Sequence, residues 1–130
     1  MVSKRQYMAL SAFRSALARF LRFSERAARA AGITPTQYLL LLHVLGADGR
    51  DWSTVGELAA RLHASAHGTT ALVGRCRAAG LVLKRRNASD GRRVEVHLTP
   101  RGRRLLERLA ARNRGELHSL RDVFRIPNVN

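Results

Sequence analysis

The chain has 130 residues, room for one domain, and carries 24 Lys and Arg against 9 Asp and Glu, a formal net charge of +15. Its 45% hydrophobic content can form a core, no apolar run is long enough for a membrane span, and its one cysteine excludes an internal disulfide framework or a multi-cysteine metal site. We therefore predict a small, soluble, cytoplasmic protein with a polyanionic partner, nucleic acid first and an acidic membrane surface second.

The N-terminal segment is predicted to form one long amphipathic helix. Residues 6–31 lack proline and glycine, and apolar residues recur at helical spacing from Met8 to Ala28 with arginines between them. Residues 4–30 hold seven positive side chains and one negative. The acid-free stretch before Glu25, rich in Arg and Ser, also has the composition of an organellar transit peptide. Because the helical pattern runs past that stretch, we favour a folded helix whose apolar face packs on a partner.

Three short helices follow, and the last two have the form of a helix-turn-helix. A Thr-Pro pair predicts the start of a very apolar, buried helix over residues 35–45. A Thr-x-x-Glu capping box starts a helix over residues 55–63, and Ser65 can cap one over residues 66–79 after a very short connection. The inward positions of this last helix are predicted to be Thr69, Leu72, Val73 and Cys76, and the outward ones His67, Thr70, Ala71, Gly74 and Arg77.

Two strands after these helices are predicted to form a basic hairpin. Residues 87–91 read Asn-Ala-Ser-Asp-Gly, and Asp-Gly is a strong signal for a tight hairpin turn. In the return strand, residues 94–98, apolar residues alternate with Glu95 and His97, which predicts that these two polar side chains face solvent. Residues 84–104 hold eight positive side chains and two negative. A basic hairpin directly after a helix-turn-helix indicates a wing.

Thr99 and Pro100 cap and open a last helix, which the pattern predicts to continue unbroken to Ile126 and Pro127. Residues spaced three and four apart form a long stripe along it: Leu106, Leu109, Asn113, Leu117, Leu120 and Phe124. Acidic and basic residues alternate beside this stripe, which suits a partner helix better than an anionic bilayer surface.

These segments, in this order and spacing, resemble the MarR-type winged helix-turn-helix transcription regulators. The similarity covers nearly the whole chain and is best over residues 54–106. The matching segments are Glu-Leu-Ala-Ala-Arg-Leu at 57–62, Leu-Val-Gly-Arg at 72–75, Gly-Leu-Val at 80–82, Asp-Gly-Arg at 90–92 and Leu-Thr-Pro-Arg-Gly at 98–102. The chain departs from the family at His67 and Gly68, where Ser-Thr is frequent, and at Ala71, where Arg is frequent, so the family's base-reading code does not transfer.

The resemblance implies a mostly α, α+β fold in a single domain over residues 1–130. A winged helix-turn-helix with a two-stranded β-wing would span residues 52–99, between dimerisation helices over residues 5–31 and 100–125. The resemblance also implies an obligate homodimer on pseudo-palindromic double-stranded DNA. Repression would be relieved by a small-molecule effector in a crevice between the dimerisation and DNA-binding regions. The predicted dimerisation residues are Leu10, Phe13, Leu17, Leu109, Leu117, Leu120 and Phe124.

The DNA-binding residues are predicted to lie on the second helix of the helix-turn-helix and on the wing. A recognition helix presents its N-terminal residues to base edges in the major groove. The resemblance implies that Arg92 reaches into the minor groove while Asp90 holds it, with Arg93 beside it. The base-edge candidates are Ser65, His67, Thr70 and Ala71, and the phosphate candidates are Thr54, Arg75, Lys84, Arg85 and Arg86. The alternatives are solvated helix positions, a loose surface hairpin and, for Arg75, an intrachain ion pair.

Other chemistry has little support in the sequence. Cys76 lies on an inward face, which favours packing over redox sensing, since a sensor needs an exposed thiolate of low pKa. No nucleophile with a base, glycine-rich phosphate loop or carboxylate pair indicates an enzyme, and no cofactor is predicted. Five histidines without ligand spacing make zinc binding the weaker reading: His43, His63, His67, His97 and His118. The alternative to a sequence-specific regulator is a non-specific basic module that binds DNA architecturally or binds RNA.

Overall fold

The computed structural model describes residues 1–124, so the predicted helix end at Ile126 and Pro127 lies outside the described residues. The elements in chain order are α1 (Lys4–Ala30), α2 (Pro35–Leu45), β1 (Trp52–Thr54), α3 (Val55–Leu62), α4 (Ala66–Ala78), β2 (Val82–Arg86), β3 (Val94–Leu98), α5 (Pro100–Ser119) and α6 (Arg121–Phe124). None of the helices in this part of the chain is long and apolar enough to cross a membrane. The predicted fold class, mostly helical with a winged helix-turn-helix, is confirmed.

Side-chain caps explain where the helices begin. Ser3, Thr34 and Thr54 each accept a hydrogen bond from the backbone N–H three residues later, and the Gln or Glu at that position bonds back to the cap. Ser65 and Thr99 cap α4 and α5 with a single bond each. Because these residues carry their own signal in the sequence, the starts of α2 to α5 agree with the predicted ones.

The core lies where α2 packs against α3, α4, the sheet and the first half of α5. Its fully buried side chains include Leu40, Leu41, Val44, Leu58, Val73, Cys76, Leu81 and Val96. Burying each large aliphatic side chain contributes roughly 1.5–3 kcal/mol. The inward positions predicted for α4 are all buried and the outward ones all exposed, which confirms that helix's orientation.

The start of α5 lies against the backbone that leads from α4 into β2. The Thr99 hydroxyl donates to the Gly80 carbonyl at 2.6 Å, and the Thr99 N–H donates to the Leu81 carbonyl at 3.0 Å. A Cβ at Gly102 would overlap the carbonyl oxygen of Leu81 and lie 3.0 Å from its carbonyl carbon. Only glycine allows this approach, so Gly102 sets how closely α5 packs on the helix-turn-helix.

The sheet contains the predicted hairpin and one strand more. The order is β1-β3-β2, with all pairs antiparallel, and β1 places Trp52 opposite His97 and Thr54 opposite Glu95. Because β3 is the central strand, Glu95 lies between Thr54 of β1 and Arg85 of β2, and it is also bonded to Asn87 and His97. Glu95 is only 8% exposed, so the prediction that it faces solvent is wrong.

The last helix is broken, contrary to the prediction of one helix over residues 100–125. The Leu120 N–H bonds back to carbonyls of the preceding turn, and its backbone leaves the helix at φ −104° before α6 begins. The ring of Phe124 then packs edge-on against Phe13 and Phe20 of α1, with centroids 5.6 Å and 6.0 Å apart. The break therefore folds the end of the chain onto α1.

The predicted dimerisation residues differ in exposure. Leu109 is 2% exposed within the core of its own chain, and Leu120 is also buried. Leu109 thus does not face a second chain, because α5 turns this part of its apolar stripe toward its own α1 and α2. The exposed members are Leu10 and Leu117, and the half-buried ones are Phe13, Leu17 and Phe124.

Candidate nucleic-acid interface

The exposed face of α4 begins at a tight turn. His63 ends α3 in the left-handed conformation, with φ 52°, and two residues later the Ser65 hydroxyl caps α4 by accepting the Gly68 N–H at 3.0 Å. The Thr70 hydroxyl donates to the Ala66 carbonyl at 2.9 Å, which leaves its oxygen free to accept. The side chains of His67 and Ala71 are exposed, and no bond to the His67 ring is formed within residues 1–124. On this face His67 can donate or accept, Thr70 can accept and Ala71 presents a methyl group, and these groups can contact base edges.

The wing tip is an ordered turn. The Asn87 side-chain oxygen accepts the N–H groups of Ser89 and Asp90 at 3.0 and 2.9 Å. The Asp90 carboxylate accepts the Arg92 N–H at 3.0 Å and lies 3.5 Å from Arg92 Nε. The Arg92 side chain is 95% exposed. The turn therefore projects one guanidinium into solvent with a carboxylate at its base, a form that suits a narrow minor groove.

Two other wing arginines are held within the chain. The Arg86 guanidinium donates to the Gly91 carbonyl at 2.8 Å and so supports the turn. The Arg93 guanidinium lies 3.9 Å from the Glu57 carboxylate of α3 and 5.8 Å from the Trp52 ring centroid. The sequence predicts Arg86 and Arg93 as DNA contacts. In the structure both guanidinium groups contact other parts of the same chain.

Trp52 and Glu57 join the wing base to the helix-turn-helix. The Arg50 guanidinium stacks 4.0 Å from the Trp52 ring centroid and forms an ion pair with Glu57. Glu57 also accepts the Thr54 N–H at 2.9 Å, while the Thr54 hydroxyl accepts the Glu57 N–H. Burial raises the pKa of Glu57, but the bonds from Thr54 and Arg50 outweigh this and lower it. The Thr54 N–H is engaged, whereas the Thr54 hydroxyl only accepts and can still donate its own proton to a phosphate.

A buried acid at the wing base was missed by the sequence analysis. Glu95 Oε1 pairs with His97 Nε2 at 2.7 Å, and Glu95 Oε2 accepts from Asn87 Nδ2 at 2.6 Å. The hydrogen bond from His97 is the main cause that lowers the pKa of Glu95, and burial opposes it. A Glu-x-His pair on one strand face was the available signal, but the Asn87 partner lies eight residues away across the turn.

Three basic residues flank this region without an ion pair to any residue from 1 to 124. Arg75, Lys84 and Arg85 are all exposed. They can therefore meet phosphates without first breaking an ion pair to any of those residues.

Cys76 and the histidines offer no second chemistry in residues 1–124. Burial raises the pKa of the Cys76 thiol from 9.0 to about 11, against the opposing effect of the Arg75 charge, so the thiol stays protonated near neutral pH. Among the described residues no group of three or more His, Cys, Asp or Glu could hold a metal ion.

A crevice of about 680 Å³ lies between the end of α1, the start of α2 and α5. Arg101, Arg104 and Arg108 line it, one helical turn apart, with Glu107 and Gln37 nearby. None of these three arginines forms an ion pair in the part of the chain that the structure describes. The crevice therefore has a basic wall.

Comparisons with known proteins agree on one family. A MarR family model matches residues 31–93. The chain is similar to YsmB, an uncharacterized HTH-type transcriptional regulator of Bacillus subtilis strain 168, with 32% identity over 94 residues. That match covers 71% of this chain and only 59% of the length of that relative.

Solved structures show the same fold. A MarR family protein from Bacillus stearothermophilus gives a TM-score of 0.76 at 27% identity, over 92% of this chain and 83% of that one. CouR from Rhodococcus jostii RHA1, whose structure holds p-coumaroyl-CoA, gives a TM-score of 0.68 at 22% identity, over 78% of this chain and 70% of that one.

Proposed function

The chain belongs to the MarR family of winged helix-turn-helix transcriptional regulators, and from this membership we propose that it binds a specific double-stranded operator in the cytoplasm and represses transcription. The observation that carries the proposal is the combination of two surfaces on one scaffold. α4 leaves its N-terminal outer face exposed, and the wing projects an arginine that is 95% exposed.

The two surfaces suit the two grooves of duplex DNA. The outer face of α4 would enter the major groove, with His67, Thr70 and Ala71 at base edges and Ser65 beside them. Arg92 would enter the adjacent minor groove, and Arg75, Lys84 and Arg85 would meet phosphates. Thr54, Arg86 and Arg93 each also make a contact within the chain, so we rank them as secondary candidates for phosphate contact.

We propose that the regulator is a homodimer, since a two-fold protein fits a pseudo-palindromic operator with half-sites about 34–36 Å apart. The support is the large apolar side chains that α1 and α5 leave exposed, because exposed apolar surface marks association sites. Its exposed large residues are Tyr7, Met8, Leu10, Leu21 and Leu117. Light scattering should give twice the chain mass, Leu10→Arg should lower it, and a monomeric wild-type protein would contradict the homodimer.

We further propose that a small organic anion in the basic crevice relieves repression. The support is the row formed by Arg101, Arg104 and Arg108, because guanidinium groups bind carboxylate and phosphate in a bidentate way. CouR, a protein of the same fold, has a structure with bound p-coumaroyl-CoA.

A competition titration tests the proposal. Duplexes selected by the protein from a random library should outcompete unselected duplex by roughly 10³ or more at physiological salt. Equal competition by random duplex or structured RNA would instead indicate a non-specific basic module.

A further inference from the structure

We infer that a chain of hydrogen-bonded side chains, starting in the sheet, aims the wing-tip arginine, and that Asn87, Glu95 and His97 are positioning residues for DNA binding. The inference rests on the proposed function for its DNA readout. It concerns three residues that are buried or half-buried, so their effect would act through Arg92.

The chain of contacts has no gap from the sheet to the tip. His97 Nε2 donates to Glu95 Oε1 at 2.7 Å, because a carboxylate can only accept. Glu95 Oε2 accepts from Asn87 Nδ2 at 2.6 Å, and Asn87 Oδ1 accepts the Asp90 N–H at 2.9 Å. The Asp90 carboxylate holds the N–H and Nε of Arg92. Each residue is thus bonded to the next, and the step from Asn87 to Asp90 runs through the Asp90 backbone N–H.

The sheet end of this chain is anchored. The His97 ring lies 6.3 Å from the Trp52 ring, centroid to centroid, at an interplanar angle of 32°. Trp52 is the strand partner of His97 and lies under the Arg50 guanidinium, which pairs with Glu57 of α3. These contacts therefore connect the wing tip to the first helix of the helix-turn-helix.

Burial makes these contacts demanding. An almost buried carboxylate must be paired, and both oxygens of Glu95 are used. The hairpin itself has separate backbone bonds, from the Asn87 N–H to the Arg93 carbonyl at 2.9 Å and from the Arg93 N–H to the Asp90 carbonyl at 3.0 Å. Loss of the Asn87 side chain should therefore loosen the aim of Arg92 while the hairpin remains closed.

A double-mutant cycle tests the inference, with a duplex selected from a random library by the wild-type protein as the probe. Asn87→Ala should weaken binding about tenfold, within the range of couplings between contacting residues. The same change in an Arg92→Ala background should have almost no effect, because Asn87 acts through Arg92. Ser89→Ala, in the same turn, is the control and should bind as wild type. Equal losses in both backgrounds would overturn the inference.

Variants of the buried acid separate positioning from folding. Glu95→Gln can still accept from Asn87 and donate to a neutral His97, so it should retain most of the binding. Glu95→Ala should lose about as much as Asn87→Ala. Circular dichroism melts identify any variant that fails to fold. If Glu95→Ala fails to fold, Asn87→Ala still tests the inference, because Asn87 is at a half-buried surface position. Wild-type binding by folded Glu95→Ala and Asn87→Ala would refute the role.

A measurement without DNA distinguishes failure of this inference from failure of the proposed function. Nitrogen-15 relaxation of the Arg92 Nε–H group should give a lower order parameter in Asn87→Ala than in wild type or Ser89→Ala. An unchanged order parameter would overturn the inference whatever the DNA result. If the order parameter is lowered but the wild-type protein selects no duplex from the library, the positioning role stands and the proposed function is wrong.

Discussion

The wing and α1 carry similar charge but hold it differently. Residues 4–30 hold seven positive side chains against one negative, and residues 84–104 hold eight against two. In the second segment, arginine contacts include Arg86 with the Gly91 carbonyl, Arg92 with Asp90 and Arg103 with Asp51. In α1, no arginine forms an ion pair or side-chain hydrogen bond with another residue in 1–124. Part of the wing charge is therefore held at fixed positions by the chain, whereas we expect the α1 charge to act as a diffuse field.

We expect the largest effect from a substitution at Gly102, where α5 packs against the backbone that leads into the wing. Gly102→Ala would force a Cβ into the Leu81 carbonyl, so α5 must shift from the α4–β2 junction. We expect the free energy of unfolding to fall by about 2–5 kcal/mol in urea titrations. Gly115→Ala in the same helix is the matched control, because its Cβ meets nothing within 4 Å and should stabilise by up to about 1 kcal/mol. A similar small change for both would show that the close approach is unimportant.

The second effect compares one charge from each region. Arg92→Ala should weaken binding to the selected duplex by about 1–3 kcal/mol, and Arg22→Ala in α1 removes the same charge with a much smaller loss. If Arg92 also meets a phosphate, the slope of log affinity against log salt should fall by about 1. Fluorescence titrations at several salt concentrations measure both quantities. Unchanged binding by Arg92→Ala would exclude the wing role.

The helix starts, the hairpin and the exposed face of α4 could be predicted from local sequence. Caps at Thr54, Ser65 and Thr99 mark helix starts because each acts within three residues. The Asp-Gly pair indicates the hairpin but not its form, since the loop between β2 and β3 spans residues 87–93 and Gly91 lacks the positive φ of a tight two-residue turn. The spacing in α4 separated its buried and exposed faces correctly, so the candidate recognition surface was available from sequence.

The remainder depends on tertiary contacts. A strand as short as β1 has no recognisable pattern, and without it the burial of Glu95 in a central strand could not be predicted. The apolar period continues through Leu120, but the helix breaks there and Phe124 packs on α1. Periodicity also identified the apolar face of Leu109 without showing that its own chain covers it.

The third effect is the pH dependence of stability that we expect from the two acids at the wing base. The folded pKa values of Glu57 and Glu95 lie below the ordinary 4.5, so their contribution to stability is present above pH 4.5 and is lost as pH falls through the folded values. Urea unfolding between pH 7 and 3 should show this loss, and Glu95→Gln should reduce it. An earlier loss, starting below pH 6.5, should come from His43, whose pKa is lowered by burial and then by the Arg61 charge. An identical pH profile for Glu95→Gln would show that Glu95 is not a source of the loss.

The smallest effect concerns the diffuse charge of α1. Arg19, Arg22 and Arg26 share one exposed face with no partner within residues 1–124, so replacing Arg22 and Arg26 by Gln should leave the melting temperature almost unchanged. The same double change should slow association with duplex at low salt, and the difference should disappear at high salt as screening shortens the field. Stopped-flow association rates at two ionic strengths measure this. A loss of affinity that persists at high salt, as expected for Arg92→Ala, would instead place α1 in direct contact with DNA and end the distinction between the two basic regions.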